Sequence, residues 1–150
     1  MPISRGWSGP GRASTDALDL ETAIERALRP AFRKRPPTNE TEVQDAIEDI
    51  LNAVGVDFIR DQEVAPVGPR ASRPDLTIKA TSLAIEVKLA KENHGAADIQ
   101  EDMNTDITAY TTQWTRLRFV IYDVGVVADP HRMMRENERL FGISGLAITH

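Results

Sequence analysis

Two short apolar runs, Leu76-Thr77-Ile78 and Leu83-Ala84-Ile85-Glu86-Val87-Lys88-Leu89, flank a brief polar turn at residues 80–82. The second run alternates, with Leu83, Ile85, Val87 and Leu89 on one face and Ala84, Glu86 and Lys88 on the other. A three-residue turn folds such runs into an antiparallel hairpin. Asp75 opens the first strand, so the hairpin carries it toward the Glu86 and Lys88 end of the second. Two carboxylates and a lysine then gather at one strand end. A solvated edge hairpin would carry similar charges, but the very apolar neighbours of Glu86 and Lys88 favour a central strand.

The remaining pattern supplies helices and strands around that hairpin. Gly6, Gly9, Pro10 and Gly11 lie in a stretch without apolar periodicity, which predicts a flexible arm over residues 1–16 and a single domain over 17–150. Leu20, Ile24, Ala27 and Leu28 share a helical face, with Pro30 as the expected breaker. A second helix, capped by Thr38 or Asn39, carries Val43, Ile47, Ile50, Leu51 and Val54 and ends at Gly55. A strand is expected over residues 58–64, then a loop at Pro66-Val67-Gly68-Pro69. Ile99, Met103, Ile107 and Tyr110 predict a helix over 96–114, residues 117–124 a buried strand, 131–141 a charged helix and 145–150 a last strand. The order of elements describes an α/β domain around a central mixed sheet, a three-strand antiparallel meander with added strands, flanked by helices.

Composition narrows the chemistry. The 150 residues are 41% hydrophobic and 27% charged, with no cysteine and a formal net charge of -5. Without cysteine there is no disulfide, zinc-thiolate site or thiol nucleophile. No apolar run approaches the ~18 residues of a membrane span, and the start lacks a signal-peptide core, so a cytoplasmic protein is expected. The acidic balance disfavours a nonspecific polyanion binder, leaving local basic patches and metal to make any nucleic-acid contact. The oxygen donors Asp75 and Glu86 suit a hard ion, magnesium (Mg2+) with manganese (Mn2+) as substitute. Such an ion polarises a scissile phosphate and activates water. Lys88, ordinarily protonated, would stabilise the extra-negative transition state; a general-base role would need a strongly lowered pKa.

A Glu-x-Lys triplet arises by chance in roughly every second chain of this length. Its placement on an alternating strand, one hairpin after Pro74-Asp75, is what makes it informative. Together these residues resemble the signature of the PD-(D/E)XK nuclease superfamily over residues 40–123. That resemblance implies a restriction endonuclease-like core of helix, three-strand meander, helix and strand. It also implies a metal-site glutamate on the first core helix, for which Glu40 is the candidate and Glu42 the alternative. A carboxylate favoured by the helix dipole would look the same. The phrases Asn39-Glu40-Thr41-Glu42-Val43-Gln44-Asp45, Arg73-Pro74-Asp75-Leu76, Ala84-Ile85-Glu86-Val87-Lys88-Leu89, Asp106-Ile107-Thr108-Ala109-Tyr110 and Phe119-Val120-Ile121-Tyr122-Asp123 are similar to restriction endonuclease-like domains of the DpnII and MboI type. What this implies is hydrolysis of DNA phosphodiester bonds, Mg2+, a homodimer and a cutting module of a bacterial defence system with its partner proteins. It implies no recognition sequence.

Further candidates carry plainer readings beside the functional ones. Gln100, Asp106 and Tyr110 lie on the second core helix, where related nucleases keep polar residues facing site or DNA, and Asp106 and Tyr110 share a face. Tyr110 in the core with a satisfied hydroxyl is the alternative. Lys91 and His94 follow the motif strand and either touch phosphate or are solvated. Arg33, Lys34 and Arg35 form the densest basic cluster and, with Arg73, are candidates to hold a duplex backbone. Two other functions fit the same residues: a structure-specific nuclease or junction resolvase, and a noncatalytic interaction domain retaining the fold.

Overall fold

The structure is a computed structural model that describes residues 10–60 and 73–150, with side chains from residue 20 onward. Helix α1 spans Pro10–Ala31 and buries Leu20, Ile24 and Leu28. It begins well inside the stretch expected as a flexible arm, and residues 1–9 of that arm lie outside the described residues. Proline suits the first helical position, where its fixed φ is helical and its missing N–H would have no partner. Pro30 does not stop the helix early but sits in its last turn. There the missing N–H removes one backbone bond, and the N–H groups of Phe32 and Arg33 close the end on the Arg29 and Pro30 carbonyls at 3.0 and 3.2 Å.

Helix α2, Glu40–Ala53, is capped by Asn39, whose side chain accepts from the Glu42 N–H at 2.9 Å. Val43, Ile47 and Leu51 recur every four residues and are fully buried, whereas Val54 is half exposed and lies past the helix end. Gly55, at φ +77°, turns the chain out of the helix. The strand expected over 58–64 is described only as β1, Ile59–Arg60. Its remaining positions, and the loop at Pro66 to Pro69, lie outside the described residues. Arg60 fastens β1 to α2 through Asp45, Glu48 and Gln44.

Strand β2, Leu76–Ile78, and strand β3, Leu83–Ala90, are joined by a single 3-10 turn with Ser82 left-handed at φ +50°. Helix α3 is Ala96–Tyr110, one turn shorter than expected, followed by the β-branched pair Thr111-Thr112. Strand β4, Arg116–Asp123, helix α4, Pro130–Phe141, and strand β5, Ser144–Thr149, complete the chain. Asp129 caps α4, and Gly142, left-handed at φ +66°, releases it into β5.

The sheet order is β1-β2-β3-β4-β5; β1, β2 and β3 run antiparallel in succession, and β3, β4 and β5 are parallel. This is the mixed sheet flanked by helices that the sequence predicts. Leu83, Ile85, Val87 and Leu89 of β3 join Val120 and Tyr122 of β4 in a core with α1 and α2. Ala84, Phe119 and Ile121 face the other way, with Ile99, Met103 and Tyr110 of α3 and Met134 of α4. Strand β3 is therefore covered on both faces, and every residue in it is buried. Glu86 and Lys88 sit on the α3 face of this central strand, which rules out the solvated edge hairpin.

Candidate active site

The site grows from a mismatch in strand length. Strand β2 begins at Leu76, which pairs with Ile85, while β3 continues to Ala90. Beyond Ile85 the edge of β3 toward β2 has no strand to accept its N–H groups, and buried N–H groups need acceptors. Two carboxylates take the strand's place. Asp75 Oδ2 accepts from the Val87 N–H at 2.8 Å, and Glu40 Oε2 from the Leu89 N–H at 3.3 Å. The register sets Asp75 across from Glu86, and the Asp75 N–H donates to Glu86 Oε1 at 2.9 Å. Each of these two carboxylates thus accepts from a backbone N–H on the other's strand segment, midway along β3.

Lys88, two residues on and on the same face, places Nζ 3.3 Å from Glu86 Oε2 and 2.6 Å from Asp106 Oδ2. The Asp106 contact is an ion pair rather than an aligned hydrogen bond. Both side chains on β3 are nearly sealed from solvent, at 6% for Glu86 and 9% for Lys88. Burial, then the neighbouring charges of Asp75 and Asp106, push the Glu86 carboxyl up to about 9 despite Lys88. For Lys88, burial favours the neutral amine, but the Asp106 and Glu86 carboxylates outweigh it and hold the ammonium protonated well above the ordinary lysine range. Tyr110, one turn after Asp106 on α3, donates its hydroxyl to the Arg73 carbonyl at 2.8 Å. Its phenol is raised first by burial and then by Glu86, Asp106 and Asp75. It is both a core residue with a satisfied hydroxyl and a neighbour of the cluster.

Not every polar residue singled out in the sequence reaches this cluster. Gln100 exchanges two hydrogen bonds with Asn137 of α4, at 2.7 and 2.8 Å, and so ties α3 to α4. Six residues separate it from Asp106, about 120° around the helix, which turns it from the site. Asp106 faces inward onto Lys88 instead of outward to a ligand. Glu42 reaches back to the Thr38 N–H at 2.9 Å and pairs with Arg35 at 3.2 Å; these contacts lower its pKa and complete the helix cap. Glu40 alone of the two helix glutamates reaches β3. Lys91 Nζ donates to the Thr38 carbonyl at 3.1 Å, and His94 Nε2 lies 2.8 Å from Asp102 Oδ2, so local partners occupy both. Arg73 is exposed just before Pro74. Arg33 borders an open cavity of about 440 Å³ with Arg29, Pro30 and His150. Asp123 is fully buried; its Oδ1 accepts from the N–H groups of Gly125, Val126 and Val127 and shapes the turn after β4.

The donor set bears on whether a metal fits. Among the described residues no three His, Asp or Glu side chains converge as a ready-made cage. Asp75 and Glu86 lie side by side, and burial first, then the charges of Asp75 and Asp106, disfavour the ionised form of Glu86 when no cation is near. A pair of carboxylates is what a hard divalent ion takes when waters and a phosphate complete its shell, so the residues present fit it.

No helix among the described residues is long and apolar enough to cross a membrane. No curated protein and no solved structure gives a significant match to the chain. The model of one family does match, DpnII-MboI (REase_DpnII-MboI), over residues 24–144, a span that runs from within α1 to the start of β5 and contains the whole carboxylate and lysine cluster. The chain belongs to the DpnII-MboI restriction endonuclease family.

Proposed function

We propose that this protein is a Mg2+-dependent endonuclease that hydrolyses DNA phosphodiester bonds, with Mn2+ as a working substitute. The observation that carries the reading is the Asp75–Glu86 pair, fixed across from each other by strand register with the Lys88 ammonium on the same face. Family membership supports DNA as the substrate. Asp75 and Glu86 hold the ion, and Glu40, bonded to the Leu89 N–H beside them, assists. When bound, the ion polarises the scissile phosphate and lowers the pKa of water. Lys88, kept protonated by its carboxylate partners, places a positive charge where the phosphorane-like transition state gains negative charge. Its charge state supports this role over that of general base. Arg33, Arg35 and Arg73 are proposed to hold the duplex backbone, and Tyr110 to steady the segment carrying Asp75 through the Arg73 carbonyl. Cutting both strands calls for two such sites, which supports a homodimer. A defence or restriction role with partner proteins is the setting that the family suggests, and the cysteine-free composition supports a cytoplasmic one.

The direct test is incubation of supercoiled plasmid with Mg2+ and wild-type, Glu86→Ala or Lys88→Ala protein. Wild type should yield nicked and linear DNA, and the variants should convert far less of the plasmid, leaving only slow residual cleavage. Equal conversion by all three preparations would remove the proposal.

A further inference from the structure

We propose that Asp106 is the positioning residue that fixes the Lys88 ammonium for catalysis, rather than a contact to DNA or a metal ligand. This rests on the nuclease reading of the site. Lys88 has two anionic neighbours, Glu86 Oε2 at 3.3 Å and Asp106 Oδ2 at 2.6 Å. Glu86 is assigned to the ion, and a carboxylate shared with a divalent cation has less charge to offer a lysine. Asp106 has no such competing duty. It is mostly buried, with 16% of its side chain exposed, and it approaches Lys88 from α3 while Glu86 belongs to the lysine's own strand. The flexible four-carbon stem of a lysine otherwise leaves the ammonium free to wander among rotamers.

Helix α3 is itself held at the required height. Tyr110, one turn later on the same face, donates to the Arg73 carbonyl next to Pro74-Asp75. One helix face thus grips both halves of the site: Asp106 sets the lysine, and Tyr110 sets the segment that carries the aspartate. The direct contact of Asp106 Oδ2 with the Lys88 ammonium, at 2.6 Å, engages that oxygen with the lysine rather than leaving it to a metal ion. Its inward orientation speaks against a role in contacting DNA.

The test combines Asp106→Asn, which keeps shape and removes charge, with Lys88→Met and the double variant; Lys88→Gln serves as the background if Lys88→Met does not fold. Cleavage of a linear duplex is measured with Mg2+, Mn2+ binding by calorimetry, and folding by the unfolding midpoint. Asp106→Asn should lower kcat on the order of 100-fold, the scale of a small misplacement of a catalytic group, with KM and Mn2+ affinity near wild type. In the Lys88→Met background it should cost nothing further. Lost Mn2+ affinity, a rise in KM alone, or an undiminished effect without Lys88 would each overturn the assignment. Wild-type protein that cuts no DNA overturns the nuclease reading and this role with it. Wild-type cleavage that survives Asp106→Asn overturns the positioning role alone.

Discussion

Replacing Glu86 by glutamine should stabilise the metal-free protein while destroying its cleavage of DNA. In the folded state the Glu86 carboxyl is pushed up to about 9 from an ordinary 4.5, first by burial and then by Asp75 and Asp106. Because the folded form holds a proton that the unfolded chain has released, stability is fully present below pH 4.5 and drains away as pH rises toward 9. The loss runs at about 1.4 kcal/mol per pH unit, reaching about 3 kcal/mol at pH 7. Only 6% of the side chain is exposed, so solvent screens little of this. Glutamine resembles the protonated acid in that its Oε1 still accepts from the Asp75 N–H and it cannot ionise, while Lys88, losing the Oε2 acceptor, keeps Asp106 as its partner. Urea unfolding with a chelator present, from pH 5 to pH 8, should show the Glu86→Gln variant gaining on wild type by about 4 kcal/mol across that range. If Asp75 and Glu86 hold the ion as proposed, excess Mg2+ should flatten the wild-type profile and leave the variant unchanged. Parallel wild-type and variant profiles would refute the reasoning, because they would mean that Glu86 ionises in the folded protein as freely as in the unfolded chain.

Removing the Tyr110 hydroxyl with Tyr110→Phe should cost about 1–2 kcal/mol, because the Arg73 carbonyl loses its donor, and chemical denaturation will report it. The same change should lower kcat more than it alters KM, since Asp75 follows Arg73 by two residues. Asn39→Ala removes the cap on α2 and should lower stability by about 1 kcal/mol, and a change below a few tenths would show that Glu42 alone secures the helix end. If Arg33 and Arg35 hold the duplex backbone, their joint replacement by alanine should reduce the slope of log binding constant against log salt by about 2. An unchanged slope would assign them to a solvated surface. Ile47→Ala, in the fully buried stripe of α2, should lose about 2–5 kcal/mol, measured as a shift in the denaturant midpoint at constant m-value.

The faces of β3 and α2 were legible because both signals are local. Period-two alternation fixed which side chains of Leu83 to Leu89 enter the α1–α2 core, and the four-residue recurrence of Val43, Ile47 and Leu51 did the same for α2. The polar turn at 80–82 was enough to bring Asp75 across from Glu86. Less was legible where a residue's partner is distant in sequence. Gln100 reads as a polar residue facing site or DNA, and only the fold brings Asn137 of α4 onto it; His94 reads as either a phosphate contact or a solvated residue, and only the fold sets Asp102 beside it. Absence of apolar periodicity also misled at the N-terminus, since a helix needs no apolar face over its first turns, and α1 starts at Pro10.

By itself, then, the sequence determined the chemistry available: two carboxylates and a lysine on a hairpin, facing one way because strand geometry alternates. Tertiary structure decided what those groups do to one another. Strand β2 starts opposite Ile85, so the open N–H groups of Val87 and Leu89 draw in Asp75 and, from 49 residues away, Glu40. The covering of β3 by α3 buries Glu86 and sets Asp106 on Lys88, which raises one carboxyl and fixes one ammonium. Desolvation and long-range pairing are properties of the packed protein, and no local pattern of residues encodes them.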